Sequence, residues 1–282
     1  MQLFAPAKIN LSLKILRRRD DGFHEIDTLM APISLCDELI IEPNESATGI
    51  DFSIDDSTLP TGEENLVVRA ARLFFLEIDE EPRVRIKLRK KIPHGAGLGG
   101  GSSDAATTLL GLNQLHGAPL STERLTRVAA EIGSDVTFFL VQCPAHCRGR
   151  GEIVEPVEAL TKLFLLLLKP AFGVPTPWAY RQWRDSLEIP GVDYSPQKFS
   201  DLTFENDLER PVFEKHLFLA RTKIWLREQP EVAVALLSGS GSTMFAVLSD
   251  AGTADAVATR ARAELDPLLW TRATEVVASS IR

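Results

Sequence analysis

Apolar and polar positions alternate along the first stretch of the chain. Ile9, Leu11, Leu13 and Ile15 point one way and Asn10, Ser12 and Lys14 the other. A period of two describes a strand with two unlike faces. Carried back one step, the same parity puts Lys8 on the polar face beside Asn10. Arg17 to Gly22 reads as a charged turn that Asp21-Gly22 closes, and Phe23 to Ile33 as the returning strand. Leu39 to Glu42 and Ile50 to Ile54 predict further short strands. Asn65 is placed to cap a helix running through Val68 and Ala71 to Leu76. Val84, Ile86 and Leu88 then alternate with Arg85, Lys87 and Arg89, which predicts a strand with one wet, basic face.

A glycine-rich segment follows, and then a helix expected from about Ser103 to Leu115. Ser121 caps another helix, which Gly133 ends. Gly151-Glu152 and Pro156 mark a domain junction. Beyond it the pattern predicts a buried strand at Leu163 to Leu168 and a loop from Pro170 to Pro177. Helices are expected near Pro211 to Arg227 and Thr253 to Leu265, and strands at Ala246 to Leu248 and Thr274 to Ala278. Helices and strands mix without a regular βαβ rhythm and without an internal repeat. The expectation is an α+β protein of two domains, 1–155 and 156–282, with a cleft between them.

Charge and cysteine content narrow the function. The net charge of −8 over 282 residues argues against a general binder of nucleic acid or of an anionic membrane. An anionic small molecule would therefore need a local positive field. The basic run Arg83 to Lys91 is read as a solvated strand face that draws in a nucleotide, in preference to an RNA contact. Apolar runs such as Phe164 to Leu168 are far too short to cross a bilayer, and the N-terminus has no signal character. Three cysteines in an unpatterned arrangement point to a reducing, cytoplasmic setting. Cys143, His146 and Cys147 lack a fourth ligand nearby and read as ordinary thiols and a histidine, so no protein metal site is expected.

The strongest chemical signal is the run Pro93, His94, Gly95, Ala96, Gly97, Leu98, Gly99, Gly100, Gly101, Ser102 and Ser103. Its glycines let the backbone turn tightly and aim N–H groups at an anion. The following helix directs its unpaired N–H groups and positive end to the same place. Ser102 and Ser103 can cap that helix or offer hydroxyls to a phosphate or its magnesium. No lysine follows the glycines, so this is not a Walker-type loop. Gly95, Gly97 and Gly100 spell G-x-G-x-x-G, yet no acidic residue ends a second strand some twenty residues on, and the dinucleotide reading fails. A cation and a proton acceptor must come from elsewhere. Lys8, at a strand edge, and Asp135, after Gly133-Ser134, are the candidates. A second glycine stretch, Ser238 to Ser242, offers further backbone N–H groups for phosphates.

Together these motifs resemble the GHMP kinases, the family of galactokinase and of homoserine, mevalonate and phosphomevalonate kinases. The resemblance rests on Pro93-x-x-x-Gly97-Leu98-Gly99-x-x-Ser102-Ser103, on Ala5-Pro6-Ala7-Lys8-Ile9-Asn10-Leu11, and on Arg18-x-Asp20-x-Gly22-Phe23-His24. It extends through Asn65 to Ala71, Gly133-Ser134-Asp135-Val136 and Gly149-x-Gly151-Glu152. In the second half it takes in Pro175-Thr176-Pro177, Asn206-Asp207-Leu208-Glu209 and Ser238 to Ser242. Within the family the chain is most similar to the branch whose acceptor is a cytidine diphosphate-linked methylerythritol.

That resemblance implies a two-domain fold with the active site in the cleft, ATP and Mg2+ as cofactors, and a small-molecule acceptor. It implies Lys8 and Asp135 as the catalytic pair, Asn10 and Thr176 as substrate-holding residues, and Phe23, His24 and Tyr180 around the cytosine. Three positions depart from the usual pattern: Phe23 for tyrosine, Tyr180 for phenylalanine, and Thr137 for proline after Asp135-Val136. None removes a group the chemistry needs. A kinase for another acceptor is disfavoured by Phe23-His24 and by the segment from Pro175 to Tyr180. A non-catalytic sensor is disfavoured by Lys8 and Asp135 together.

Overall fold

The computed structural model describes residues 1–157 and 160–277. Its first two strands, β1 (Gln2–Arg18) and β2 (His24–Pro43), form a long antiparallel hairpin from Gln2 opposite Ile40 to Arg18 opposite His24. The short strand expected at Leu39 to Glu42 is thus the far end of β2. The polar interruption before it holds Asp37, which is buried because its carboxylate accepts the backbone N–H groups of Lys91 and Ile92. Register shifts at Pro6/Lys8, Asn10/Ser12 and Ile15/Arg17 let so long a hairpin bend and twist.

The remaining strands in chain order are β3 (Gly49–Ile54), β4 (Arg83–Arg89), β5 (Ala145–Gly149), β6 (Ile153–Pro156), β7 (Phe164–Lys169), β8 (Gln197–Phe199), β9 (Leu202–Asn206), β10 (Val232–Leu237), β11 (Met244–Leu248) and β12 (Trp270–Glu275). One sheet runs β3-β4-β2-β1-β9-β8, with β5 and β6 branching from β2; the other runs β10-β11-β7-β12. Strands β8 and β9 therefore return from the second half of the chain to the first sheet. Strand β12 lies four residues earlier than the expected Thr274 to Ala278, and Ala278 falls outside the described residues.

The helices are α1 (Leu66–Ile78), α2 (Gly100–Leu115), α3 (Thr122–Ile132), α4 (Ser134–Val141), α5 (Thr176–Gln182), α6 (Glu209–Lys215), α7 (Leu217–Arg227) and α8 (Ala254–Glu264). Asn65 and Ser121 cap α1 and α3 with their side chains, as their sequence positions predict. The single helix expected over Pro211 to Arg227 is two, because His216 leaves helical geometry at φ −118° and ψ 74°. Helix α5 begins within the last two residues of the expected loop; Pro177 sits in its first turn, where a missing N–H costs nothing.

Three cores hold these layers. Phe74, Leu109, Phe138 and Ile86 pack α1 to α4 on the first sheet. Phe213, Leu226 and Val257 pack the later helices on the second. Between the two sheets lie Ile9, Leu11, Ile33, Leu165, Leu167 and Phe245. The apolar parity of β1 thus joins the sheets. Its polar face is buried at Lys8 and Asn10 and reaches solvent only towards Lys14.

One charged pair is sealed in the second half. The Lys223 ammonium bonds the Glu209 carboxylate at 2.5 Å, and both side chains are 2% exposed. The other carboxylate oxygen accepts the Leu237 N–H at 3.0 Å. Removing one member leaves a buried charge uncompensated, which costs about 3–5 kcal/mol. Lys223→Met should lose that much in urea unfolding, whereas Lys223→Met combined with Glu209→Leu should recover part of it. A loss below about 1 kcal/mol in the single variant would mean the pair does not carry this charge balance.

Candidate active site

A cleft of about 730 Å³ opens over β1, walled by Lys8, Asn10, His24, Asp135, Thr176, Tyr180 and the glycine segment. Lys8 reaches it because the bulges on either side re-aim its strand. Its ammonium donates to Asn10 Oδ1 at 2.6 Å and stands 3.9 Å from Asp135 Oδ2. Asn10 is fixed in turn, donating to Thr28 Oγ1 at 2.8 Å, while the Thr28 hydroxyl donates to the Ser12 carbonyl. Burial pushes the Lys8 pKa below its ordinary 10.5, and the Asp135 carboxylate opposes that push. The pair is asymmetric: the Lys8 side chain is 5% exposed and that of Asp135 41%. The carboxylate faces the cavity and the cation backs it.

Asp135 lies in the first turn of α4, behind Gly133. Thr137, in the place of the usual proline, donates its hydroxyl to the Ser134 carbonyl at 2.7 Å and so secures the turn in another way. The positive end of α4 favours a carboxylate at this position.

The glycine segment spans β4 to α2. Gly95, Gly97 and Gly99 take left-handed φ values of +62°, +74° and +71°. The Lys8 N–H bonds the Leu98 carbonyl at 2.9 Å, which ties the segment to β1. Helix α2 begins at Gly100, earlier than expected, and Gly99 precedes it with no side-chain cap. Ser102 and Ser103 are therefore first-turn residues and not caps. Ser102 stands in the cavity wall along with Pro93 through Gly101. Ser103 does not reach it: its side chain is fully buried and its hydroxyl has no partner.

The basic run also needs correction. Lys90, expected on a solvated face, is buried between Asp37 Oδ2 at 2.5 Å and Asp104 Oδ2 at 2.7 Å. Burial acts against its charge, but the two carboxylates outweigh it and hold the ammonium above the ordinary range. Burial in turn raises the Asp104 carboxyl to about 8. Arg85 and Arg89 pair with Asp51 and Glu38 at the surface. Arg83, Lys87, Arg89 and Lys91 are exposed, as a solvated face requires, and of the run's cations Lys90 alone joins the cleft wall.

Aromatic rings gather around His24. His24 and Tyr180 lie 5.5 Å apart at 33°, and Trp183 stands edge-on to His24 at 6.1 Å. Burial raises the Tyr180 hydroxyl and lowers the His24 imidazole, with Arg18 adding to the latter, so both rings tend to their neutral forms. Phe23 is 52% exposed, and the Arg150 guanidinium sits 4.8 Å over its ring. Thr176 and Ser240 share a hydrogen bond at 2.7 Å, which ties the second glycine turn to the start of α5. Thr28, Arg150 and Trp183 escaped the sequence reading. Only the G-x-G around Arg150 carried a local signal, and there the glycines drew notice rather than the arginine.

The two glycine turns interlock. Ser238 Oγ donates to the Gly97 carbonyl at 3.0 Å, and the Thr243 N–H to the Ala96 carbonyl at 3.1 Å. A Cβ on Gly97 would lie 2.1 Å from the Ser238 carbonyl oxygen; on Gly101 it would meet only Leu66, at 3.7 Å. Left-handed strain of roughly 1–2 kcal/mol and overpacking of roughly 1–3 kcal/mol both oppose the first substitution. Gly97→Ala should therefore lower Tm by several degrees in calorimetry and Gly101→Ala should not. Equal Tm values for the two variants would refute the interlock.

No helix among the described residues is long and apolar enough to cross a membrane, and they hold no cluster of three metal-binding side chains. Cys36, Cys143 and Cys147 are free thiols; burial pushes Cys147 up to about 12. Residues 65–142 match the GHMP kinases N terminal domain, and 195–266 the GHMP kinases C terminal domain. A 4-diphosphocytidyl-2-C-methyl-D-erythritol kinase of Methylacidiphilum infernorum is 44% identical over 97% of this chain and 96% of its own. One of Syntrophotalea carbinolica is 40% identical over 90% of this chain and 91% of its own. A crystal structure of 4-(cytidine 5'-diphospho)-2C-methyl-D-erythritol kinase superposes with TM-score 0.78 at 36% identity, covering 98% of this chain and 99% of that one. A homoserine kinase from Cytophaga hutchinsonii, 19% identical with TM-score 0.65 over 99% of this chain and 95% of its own, shares the fold. With its cleft, its glycine segment and its relatives in agreement, this chain belongs to the GHMP kinases, in the branch of the 4-diphosphocytidyl-2-C-methyl-D-erythritol kinases.

Proposed function

We propose that this protein transfers the γ-phosphoryl group of ATP to the 2-hydroxyl of 4-diphosphocytidyl-2-C-methyl-D-erythritol, a step towards isoprenoid precursors. One observation carries the reading: a desolvated ammonium, Lys8, stands 3.9 Å behind a cavity-facing carboxylate, Asp135, in a cleft that the glycine segment, His24 and Tyr180 also line. Asp135 accepts the proton of the acceptor hydroxyl as its oxygen closes on phosphorus and the bond to the departing ADP breaks. Lys8 orients the carboxylate and faces the charge on the moving group. Backbone N–H groups of the segment from Pro93 to Gly101, with the Ser102 hydroxyl, hold the ATP phosphates.

Mg2+, when bound with ATP, would offset the charge of its phosphates. The Ser102 hydroxyl, in the cavity wall at the start of α2, would be the ion's ligand from the protein. Asn10 and Thr176 hold the acceptor arm, and Phe23, His24 and Tyr180 the cytosine. The division at 1–155 and 156–282, a cytoplasmic setting and a lack of nucleic-acid partners complete this reading.

Asp135→Asn should lower kcat roughly 10²- to 10⁴-fold, the usual worth of a positioned proton acceptor. ATP should still bind to it, and Lys8→Ala should lose comparably. In wild type the alkaline limb of kcat/KM should fall below pH 10.5, because burial lowers the Lys8 pKa and its cationic form is lost as pH rises. Residual activity of Asp135→Asn should lose its alkaline limb at still lower pH, since the carboxylate that favours the ammonium is gone. Wild-type turnover in a folded Asp135→Asn would remove the catalytic assignment.

Cytosine presents its amino donor and ring-nitrogen acceptor where uracil presents the reverse. Wild type should thus strongly prefer the cytidine form of the substrate over the uridine form, and His24→Ala should discriminate less. Stacking is worth on the order of 1–3 kcal/mol per base, so Tyr180→Ala should raise KM for the cytidyl substrate roughly ten- to a hundredfold with KM for ATP nearly constant. Equal use of both forms by wild type would leave a GHMP kinase of another acceptor.

A further inference from the structure

A substrate of this kind has a fixed order of parts: a base, a ribose, a diphosphate, and then the alcohol that reacts. If the base lies among the rings and the alcohol at Asp135, the diphosphate must cross the wall between them. The turn joining β5 to β6 spans that wall. At one side its Arg150 guanidinium lies 4.8 Å over the Phe23 ring. At the other, a Cβ on Gly151 would be 3.9 Å from Asp135 Oδ1 and 3.6 Å from the Ser134 Cβ. Gly149 and Gly151 adopt φ values of +72° and +111°, which turn the chain sharply on both sides of the arginine.

Arg150 itself is held. Its backbone N–H donates to Glu152 Oε2 at 2.5 Å, and its Nε is 3.8 Å from Glu152 Oε1. The side chain is 33% exposed, and it lines the cleft. A 3.8 Å contact to one carboxylate leaves most of the five guanidinium donors unpaired. The other cations in the wall differ. Lys8 and Lys90 are committed to Asp135 and to Asp37 with Asp104, while Arg18 and Arg181 are exposed at the rim. In a chain of net charge −8 the anionic middle of the substrate needs one anchored positive group.

We infer that Arg150 is a specificity-determining residue that binds the diphosphate of the acceptor substrate while its guanidinium backs the Phe23 ring. The inference rests on the proposed acceptor. Phe23 then offers only its outer face to the base, and the arginine behind it reads the diphosphate through its outward N–H groups.

Cytidine 5'-diphosphate and cytidine serve as competitive probes against the acceptor substrate, with wild type, Arg150→Met and Arg150→Lys. The proposal expects Arg150→Met to weaken the diphosphate roughly tenfold or more and cytidine less than twofold, with unchanged KM for ATP. Arg150→Lys should restore much of the difference, and calorimetric Tm should stay within a few degrees in both variants. Equal losses for both probes would show that Arg150 only supports the ring. No loss for either would remove it from the site. Both outcomes overturn the proposal. A wild type that neither turns over the cytidyl substrate nor binds either probe would instead overturn the proposed acceptor, and this inference with it.

Discussion

The site is organised around a buried ammonium. Lys8 sits in the middle of the longest hairpin, 4% exposed, where an unpaired cation would cost several kcal/mol. Two partners compensate it: the Asn10 amide oxygen at 2.6 Å and, less closely, the Asp135 carboxylate. Because Asn10 depends on Thr28 and Thr28 on the Ser12 carbonyl, the compensation reaches from β1 into β2. Bulges around Lys8 and Asn10 make this possible by letting neighbouring polar side chains reach one cleft. The same residues that keep the ammonium tolerable therefore fix the position of the carboxylate it faces.

Much of this was legible in the chain. Alternation marked β1 and β4 because each has one face committed to an apolar core. Asn65 and Ser121 marked helix starts because their side chains satisfy backbone donors that nothing else reaches. Lys8, Asp135 and the glycine segment were legible as chemistry and as motifs, and the structure brings them to one cleft. The rest was hidden for identifiable reasons. Local pattern shows a polar stretch but not its partner, so Asp37 fell in the gap between two expected strands when it closes β2 onto the segment after β4. Lys90 looked solvated because Asp37 and Asp104 are remote in sequence. Thr28 and Arg150 act only through residues brought in by other strands. The break at His216 falls between two helical patterns in register, which periodicity reads as one.

The glycine segment illustrates how local and distant demands combine. Phosphate-loop logic asks for flexible backbone, and left-handed φ at Gly95, Gly97 and Gly99 meets it. At Gly97 a second demand is stricter. The Ser238–Ser242 turn approaches so closely that any side chain would enter its carbonyl groups. A residue that reads as a ligand contact is equally a packing contact between the two sheets' connections.

That contact has a functional consequence. On the proposed reading the first glycine segment serves the ATP side of the cleft, and the second turn, through the Ser240–Thr176 hydrogen bond, the acceptor side. Hydrogen bonds at Gly97 and Ala96 join them directly, and the third core welds the sheets beneath. Phosphoryl transfer relies on positioning more than on covalent help from the protein, so a donor loop and an acceptor turn that move independently would blur the in-line approach. Here they share backbone contacts with each other and, through the Lys8 N–H, with the strand that carries the buried ammonium. Donor, acceptor and cation are thereby referenced to one rigid strand, β1, and the carboxylate that must meet them is drawn to the same strand by charge.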